Sequence, residues 1–357
     1  MSSTQILILK TGALGDVLRT TSILPGLRQR YGSTAVTWLT APAARDLVRL
    51  HPLVDTVLAA KPDDETALGQ LGASLETTVF DRVISLDDEA PLCSLATRLA
   101  NPEERPGVLS GAYFGPDGQR AYTDDVSPWF DMGLLSRFGK ERADELKVAN
   151  QRSHAAIYAE MLGIEMGEPE LPLDGHAEAF GRDFHGRLTT EHGARTWVGL
   201  NTGSGGRWES KKLSVKRTVE LAAGVAAGLS QPVGFVVLGG PEERERNGQL
   251  VSGLASRGLT AVDGGTENSL LEFAGLVDGL ALLVTSDSLA LHVAVARKVP
   301  VMSFFAPTSA AEIELYGRGA KVQSTAPDYC SYKKDADTST LSVERLLVPT
   351  LELLGRG

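Results

Sequence analysis

At 357 residues the chain is too long for one ordinary hydrophobic core and suits two domains of roughly 150–180 residues each. Hydrophobic residues at 42% and charged residues at 22% are ordinary for a folded soluble protein, and exclude a collagen, a coiled coil or wholesale disorder. A net charge of −10 argues against non-specific nucleic-acid binding, and no apolar run reaches the roughly 18 residues of a membrane span.

Residues 6–9 (Ile6, Leu7, Ile8, Leu9) read as a short buried strand, too brief for a signal-peptide core, so a cytoplasmic location is expected. The strand runs into the turn Gly12-Ala13-Leu14-Gly15-Asp16, after which Val17, Leu18, Ile23, Leu24 and Leu27 recur at helical spacing. Residues 35–39 form a second strand candidate, 42–50 a helix, 56–58 a third strand and 82–86 a fourth. This alternation marks an open parallel α/β sheet. Residues 110–150 break it with Gly, Asp and aromatics such as Trp129, and read as a long excursion of the kind that often carries function. The polar, Pro-bearing stretch 167–172 is the expected linker.

Beyond it, strands at 197–200, 234–238, 282–285 and 301–305 alternate with helices over 214–229, 241–256, 268–277 and 289–297. Residues 341–354 close the chain as an amphipathic helix capped by Thr340 or Ser342, which Pro349 should kink or interrupt. The economical architecture is two doubly wound domains facing across a cleft, with ligands at the carboxyl ends of the strands.

The candidate chemistry gathers at those strand ends. Gly12 and Gly15 permit close approach to the backbone, while the turn matches neither a dinucleotide fingerprint nor a P-loop. Asp16 falls at or near a helix start, where position alone reads it as an N-cap. The loop Asn201-Thr202-Gly203-Ser204-Gly205-Gly206, followed by Arg207, Trp208, Lys211 and Lys212, has the small residues and cations that suit a phosphate or diphosphate.

Glu242 follows Gly239-Gly240-Pro241, either as a dipole partner or as an acceptor for ribose hydroxyls. Asp287, Ser288, Leu289 and His292 again join a strand to a helix. Asp335-Ala336-Asp337 lies in a polar tail, and the Tyr329–Lys333 spacing lacks a first-domain fingerprint, so both are set aside. Cys93 and Cys330 are too few for a disulfide framework or a zinc site, and no metal or cofactor is expected. Residues 1–50 hold six cations (Lys10, Arg19, Arg28, Arg30, Arg45, Arg49) against Asp16 and Asp46, which reads either as solvated helix faces or as a surface for an anionic partner.

In order and spacing these pieces resemble glycosyltransferase family 9, the ADP-heptose lipopolysaccharide heptosyltransferases. Residues 6–25 are similar to the family's opening strand and G-D-x-[VL] turn. Residues 198–214 resemble its lysine-bearing loop, without the tryptophan-proline pair. Residues 237–243 are similar to V-x-G-G-P-x-E, residues 287–292 to D-[ST]-G-x-x-H, and residues 305–308 to F-G-P-T. Leu289 and Ala306 stand where the family has glycine, and Leu289 would narrow backbone approach to a diphosphate.

The resemblance implies a GT-B fold of two Rossmann-like domains: an acceptor domain over 1–170, a nucleotide-sugar domain over 171–340, and a helix over 341–357 crossing back to the first. It implies an inverting, metal-independent transfer of a heptose from an ADP-sugar to an anionic, lipid-linked inner-core saccharide, with at most peripheral membrane contact. Asp16 would be the base. Lys211, the amides at Gly203–Ser204 and the helix start at Ser288 would meet the leaving diphosphate. Glu242 would bind the ribose, Asp287 and His292 would orient the donor, and Thr202 and Leu289 would line its site. Alternatives are the same fold with another nucleotide sugar or a non-lipid acceptor, a catalytically weak nucleotide-sugar-binding subunit, and, at a distance, a nicotinamide oxidoreductase.

Overall fold

Four consecutive aliphatic residues dictate a strand covered on both faces, and in the computed structural model Ile6, Leu7, Ile8 and Leu9 are all 0% exposed inside a six-stranded sheet. The structure describes residues 3–133, 137–206 and 208–355. The chain divides into two units, Met1–Pro172 and Leu173–Gly357.

The first unit holds β1 (Thr4–Leu9), α1 (Leu14–Thr20), α2 (Ile23–Tyr31), β2 (Thr34–Thr40), β3 (Thr56–Ala59), α3 (Glu65–Leu75), β4 (Arg82–Ser85) and α4 (Ala90–Ala100). It continues with β5 (Leu109–Phe114), β6 (Arg120–Tyr122), α5 (Ser127–Phe130), α6 (Gly139–Ala149) and α7 (His154–Leu162). The sheet order is β3-β2-β1-β4-β5-β6, parallel except for the final β5–β6 hairpin.

Two expectations change in this unit. Pro42–Leu47 is a 3₁₀ turn and not part of a helix over 42–50, since six residues are too few to repay α-helix nucleation. The stretch 110–150 is only partly an excursion, because β5 and β6 extend the sheet. Gly111 of β5 has φ 133°, and a Cβ there would meet the Ser85 carbonyl oxygen at 1.9 Å, so a glycine sits where a strand pattern would show an apolar residue.

The second unit holds α8 (Gly175–His192), β7 (Thr196–Asn201), α9 (Val215–Gly228), β8 (Val233–Val237), α10 (Arg244–Ala255) and β9 (Thr260–Asp263). Then follow α11 (Leu270–Asp278), β10 (Leu282–Ser286), α12 (Leu289–Ala296), β11 (Val301–Phe305), β12 (Gly319–Gln323) and α13 (Val343–Leu354). The order is β12-β11-β10-β7-β8-β9, all parallel. Ser342 caps α13, its Oγ accepting from the Arg345 amide at 3.4 Å. The helix runs past Pro349 as one element, and its Leu347 and Leu351 side chains lie over Gly224 and Gly228 of α9. Packing against a glycine-lined helix holds together what the proline alone would break. Among the described residues no helix is long and apolar enough to cross a membrane.

Counted in chain order, both sheets run 3-2-1-4-5-6, so each has its first and fourth strands side by side. That pair is the switch point of a doubly wound sheet, where ligand-binding loops open. In the first unit it is β1 beside β4; in the second, β7 beside β10.

Helix α8 meets α11 backbone to backbone. A Cβ on Gly181 would reach the Gly275 carbonyl oxygen at 2.4 Å, and one on Gly275 the Ala177 oxygen at 2.5 Å, while one on Gly186 meets nothing. Gly181→Ala should therefore destabilise the protein, overpacking of about 1–3 kcal/mol outweighing about 1 kcal/mol of helix propensity. Gly186→Ala on the same helix should stabilise it by up to about 1 kcal/mol. Urea midpoints of the two variants moving in the same direction would refute close approach as the reason for Gly181.

Candidate active site

At the first switch point the chain leaves β1 through Lys10 and Thr11, both buried. Asp87, just past β4, takes the Lys10 ammonium, the Thr11 amide and, at 2.7 Å, the Thr11 hydroxyl. Burial opposes charge on Lys10, but Asp87, Tyr158 and Asp16 outweigh it and raise its pKa. This pair fixes the backbone that leads into α1. The helix begins after Ala13, so Asp16 is not its N-cap: it sits in the first turn and reaches back to the Ala13 amide at 3.3 Å. Arg19 meets its other oxygen at 2.9 Å, and the Asp16 side chain is 37% exposed. Gly12 is open, and Gly15 lies in the first turn beside Asp16. The cation excess of residues 1–50 is largely engaged within the unit. Lys10, Arg19 and Arg49 pair with Asp87, Asp16 and Asp46, and Arg30 donates to the Leu162 and Gly163 carbonyls.

At the second switch point Asn201 ends β7 and ties it to the turn after β10, its amide donating to Thr285 Oγ1 at 3.3 Å and Ser288 Oγ at 3.4 Å. Thr202 is 0% exposed, with its hydroxyl shared by Thr218 at 3.0 Å and Arg246 at 2.9 Å; its place is structural, under the loop. Ser204 Oγ donates to the Trp208 carbonyl at 2.7 Å and closes the loop on itself. Arg207 lies outside the described residues.

Lys211, at the end of a 3₁₀ turn, is where the sequence reading becomes more specific. Its ammonium donates at 2.9 Å both to the Asp287 carbonyl and to Asp287 Oδ2, and lies 5.5 Å from the Trp208 ring centroid. His292 Nε2 is 3.8 Å from Asp287 Oδ1. Burial pushes the Asp287 carboxyl up, but Lys211 and His292 more than reverse that and hold it at about 2. A cation expected to face phosphate and an acid expected to orient the donor are thus one ion pair. Ser288 is the cap position of α12 without capping it, its hydroxyl turned to Thr285 at 3.1 Å, and Leu289 is the first helical residue.

Sequence reasoning missed Asp87 and Arg246, which build these sites, and singled out neither Asn201 nor Glu243 within the motifs that contain them. Asp87 shows no motif. Glu243 occupies the last place of the V-x-G-G-P-x-E stretch and is 6% exposed; its carboxylate takes the Gly205 amide at 2.6 Å and the Gly240 amide at 2.9 Å. A Cβ on Gly203 would meet its Cγ at 2.5 Å. Glu242 beside it is exposed and takes the Gly206 amide. Arg246 bridges the carbonyls of Thr202 and Leu213, and Asn201 joins two strand ends. The register of the glutamate motif pointed to Glu243 and Asn201 stood in the candidate loop; Asp87 and Arg246 follow only from packing.

Leu289 and Ala306 are not among the described residues with positive φ, so neither backbone position requires glycine. Ala306 and Pro307 carbonyls accept the Cys330 amide at 2.9 Å and the Tyr332 amide at 2.8 Å. Cys93 is buried, and burial pushes its thiol up to about 11, which leaves it an inert core residue. Asp337 folds onto Ser339, and Tyr329 accepts the Ala310 amide at 2.8 Å. Among the described residues no three His, Cys, Asp or Glu side chains converge as a metal-binding set.

Residues 145–343, more than half of the chain, match the family model for glycosyltransferase family 9 (heptosyltransferase). No curated protein matches in sequence. Among solved structures, a family 9 glycosyltransferase from Veillonella parvula is 18% identical with a TM-score of 0.77, over 100% of this chain and 99% of that one. E. coli ADP-heptose lipopolysaccharide heptosyltransferase II is 17% identical with a TM-score of 0.66, over 99% of both chains. E. coli heptosyltransferase WaaC, solved with ADP-2-deoxy-2-fluoro heptose, is 19% identical with a TM-score of 0.58, over 96% of this chain and 97% of that one. At these identities they establish the shared GT-B fold.

The Lys211–Asp287 pair makes a prediction about pH. Its folded carboxyl at about 2 lies below the ordinary value near 3.9, so it stabilises the fold above pH 4 and that contribution fades as pH falls toward 2. The loss should be about 2 kcal/mol, and Asp287→Asn should remove that part of the pH dependence. Urea unfolding of both proteins between pH 5 and pH 2 measures it; parallel curves would refute the pairing.

Proposed function

The chain belongs to glycosyltransferase family 9, and from that membership we propose that it transfers a heptose from ADP-heptose to an inner-core saccharide of lipopolysaccharide, inverting the anomeric carbon without a metal. The observation that carries this reading is Lys211 locked on Asp287 at the β7–β10 switch point, beside a loop of small residues. Two relatives of the same fold are an ADP-heptose heptosyltransferase and an enzyme solved with an ADP-heptose analogue, which supports the donor.

In this proposal the bond from the anomeric carbon to the acceptor oxygen forms as its bond to the diphosphate breaks, and the electron pair leaves with ADP. An ammonium has three donors; Asp287 engages two, and the third meets a diphosphate oxygen. The amides of Gly203 and Ser204 and the α12 start at Ser288–Leu289 add donors. His292 and Asp287 keep Lys211 in place, and Glu242 exchanges its Gly206 amide for the ribose hydroxyls.

Asp16 takes the acceptor's proton late, once the hydroxyl has been acidified by bonding to carbon. The acceptor is anionic and lipid-linked, and the reaction takes place at the cytoplasmic face of the membrane with peripheral contact only. Leu289 at the start of α12 favours a second reading, the same fold with another nucleotide sugar or a non-lipid acceptor.

Calorimetric titration with ADP, UDP, GDP and NAD, without added metal, tests the donor. ADP should bind selectively, and Lys211→Ala should weaken it at least about tenfold, as expected for a charge-assisted contact. Turnover of ADP-heptose with inner-core-truncated lipopolysaccharide should be insensitive to EDTA and fall about 10²–10⁴-fold in Asp16→Asn. UDP or GDP preference would keep the fold and overturn the heptose; absence of any nucleotide binding would overturn the proposal.

A further inference from the structure

The segment between β6 and α6 delivers an aromatic side chain to the neighbourhood of Asp16. Trp129 of α5 carries the Arg19 guanidinium at 5.3 Å from its ring centroid, and that guanidinium is 2.9 Å from Asp16 Oδ1. We propose that Trp129 and Arg19 are positioning residues that brace Asp16: the indole holds the guanidinium and the guanidinium holds the carboxylate. The proposal rests on the reading of Asp16 as the base, and deepens it.

The exposures decide which partner serves which. The Arg19 side chain is 14% exposed and the Asp16 side chain 37%, so the cation is mostly covered and the carboxylate is the open end of the pair. An ordinary surface pair three residues apart on a helix is weak because two mobile side chains must be ordered together. Here the ordering is done in advance. Trp129 meets His154 edge-on at 5.0 Å and Tyr158 edge-on at 5.5 Å, and those two rings are 3.8 Å apart at 1% and 0% exposure. A cation over such a fixed face gains further from the ring quadrupole.

The carboxylate is then held at both oxygens, Oδ1 by Arg19 and Oδ2 by the Ala13 amide at 3.3 Å. Two anchors on opposite oxygens fix the direction in which the carboxylate meets a hydroxyl. Among the described residues, the charged and titratable groups around it include Arg19 on α1, Lys10 at the end of β1 and Tyr158 on α7. Asp87 behind β4 is bound to Lys10, and His154 lies against the indole.

Carbon-13 carboxylate titration of Asp16 in the full chain tests the brace, with the resonance assigned by its loss in Asp16→Asn. Arg19→Met should raise the titration midpoint by about one pH unit, a tenfold gain in proton affinity, because the carboxylate loses its nearest cation. Arg19→Lys should shift it by less than half as much. Trp129→Ala should move it in the same direction as Arg19→Met, and Trp129→Phe should largely restore it. The acid limb of kcat/KM for ADP-heptose turnover should move with the midpoint, with kcat reduced and donor KM unchanged. A filler role in the core would move neither.

If Trp129→Ala fails to fold, the emission of Trp129, taken as the difference from Trp129→Phe, should change through the Asp16 titration in the unmodified protein and not in Asp16→Asn. An inactive Asp16→Asn with unmoved midpoints in Arg19→Met and Trp129→Ala overturns the brace alone. An active Asp16→Asn overturns the base, and with it any catalytic meaning of the brace.

Discussion

Parallel pairing of the first and fourth strands in a doubly wound sheet sends the helices that follow them to opposite faces, so the backbone beyond both strand ends lacks a regular neighbour. Polar groups there must be satisfied by side chains or carry an energetic cost. Both units of this protein meet that constraint with an aspartate past the fourth strand. Asp87 holds Lys10 and Thr11 in one, and Asp287 holds Lys211 in the other. Breaking either pair would leave a covered charge unmatched, which is costly. The strand order thus dictates where charge must be placed, and the loops that carry chemistry hang from those charges.

The two units use the device differently. Asp87 is consumed by structure: its described hydrogen bonds go to Lys10 and Thr11, whereas Asp16, in the first turn of α1, is 37% exposed. In the second unit Lys211 and Asp287 are equally covered, and the lysine is the group with a donor to offer. An open anion suits proton removal and a held cation suits a leaving phosphate.

Much of this was legible in the sequence, and the reasons for the rest are physical. Central strands such as residues 6–9 and 301–305 announce themselves because burial on both faces demands unbroken aliphatics. The edge strands β9 and β12 do not, being half exposed, and neither does β5, one place in from the edge, which carries Gly111 against Ser85; composition there resembles a loop. Pro42 opens what looked like a helix and yields a 3₁₀ turn. The strand-end motifs located Asp16, Lys211, Asp287 and His292, because glycines and charges at a strand–helix junction are uncommon without cause. They could not show that Lys211 and Asp287 are partners 76 positions apart, nor that Arg19 answers to Trp129, since those contacts come from topology and not from spacing.

The adjacent pair Glu242 and Glu243 shows how far one residue of register reaches. Both take amides of the same glycine loop, Gly206 and Gly205, yet one is exposed and the other 6% exposed. Glu243 also binds the Gly240 amide and fills the space that Gly203 and Gly239 leave open, so its carboxylate cannot leave without collapsing two loops. Glu242 can exchange one amide for another partner at little cost, because water solvates it throughout. A ligand-binding glutamate needs that freedom, and a loop-building one must lack it. Gly203 is therefore explained by Glu243 before any ligand is considered: it makes room for a buried acid, and the shape that results is what a phosphate would meet.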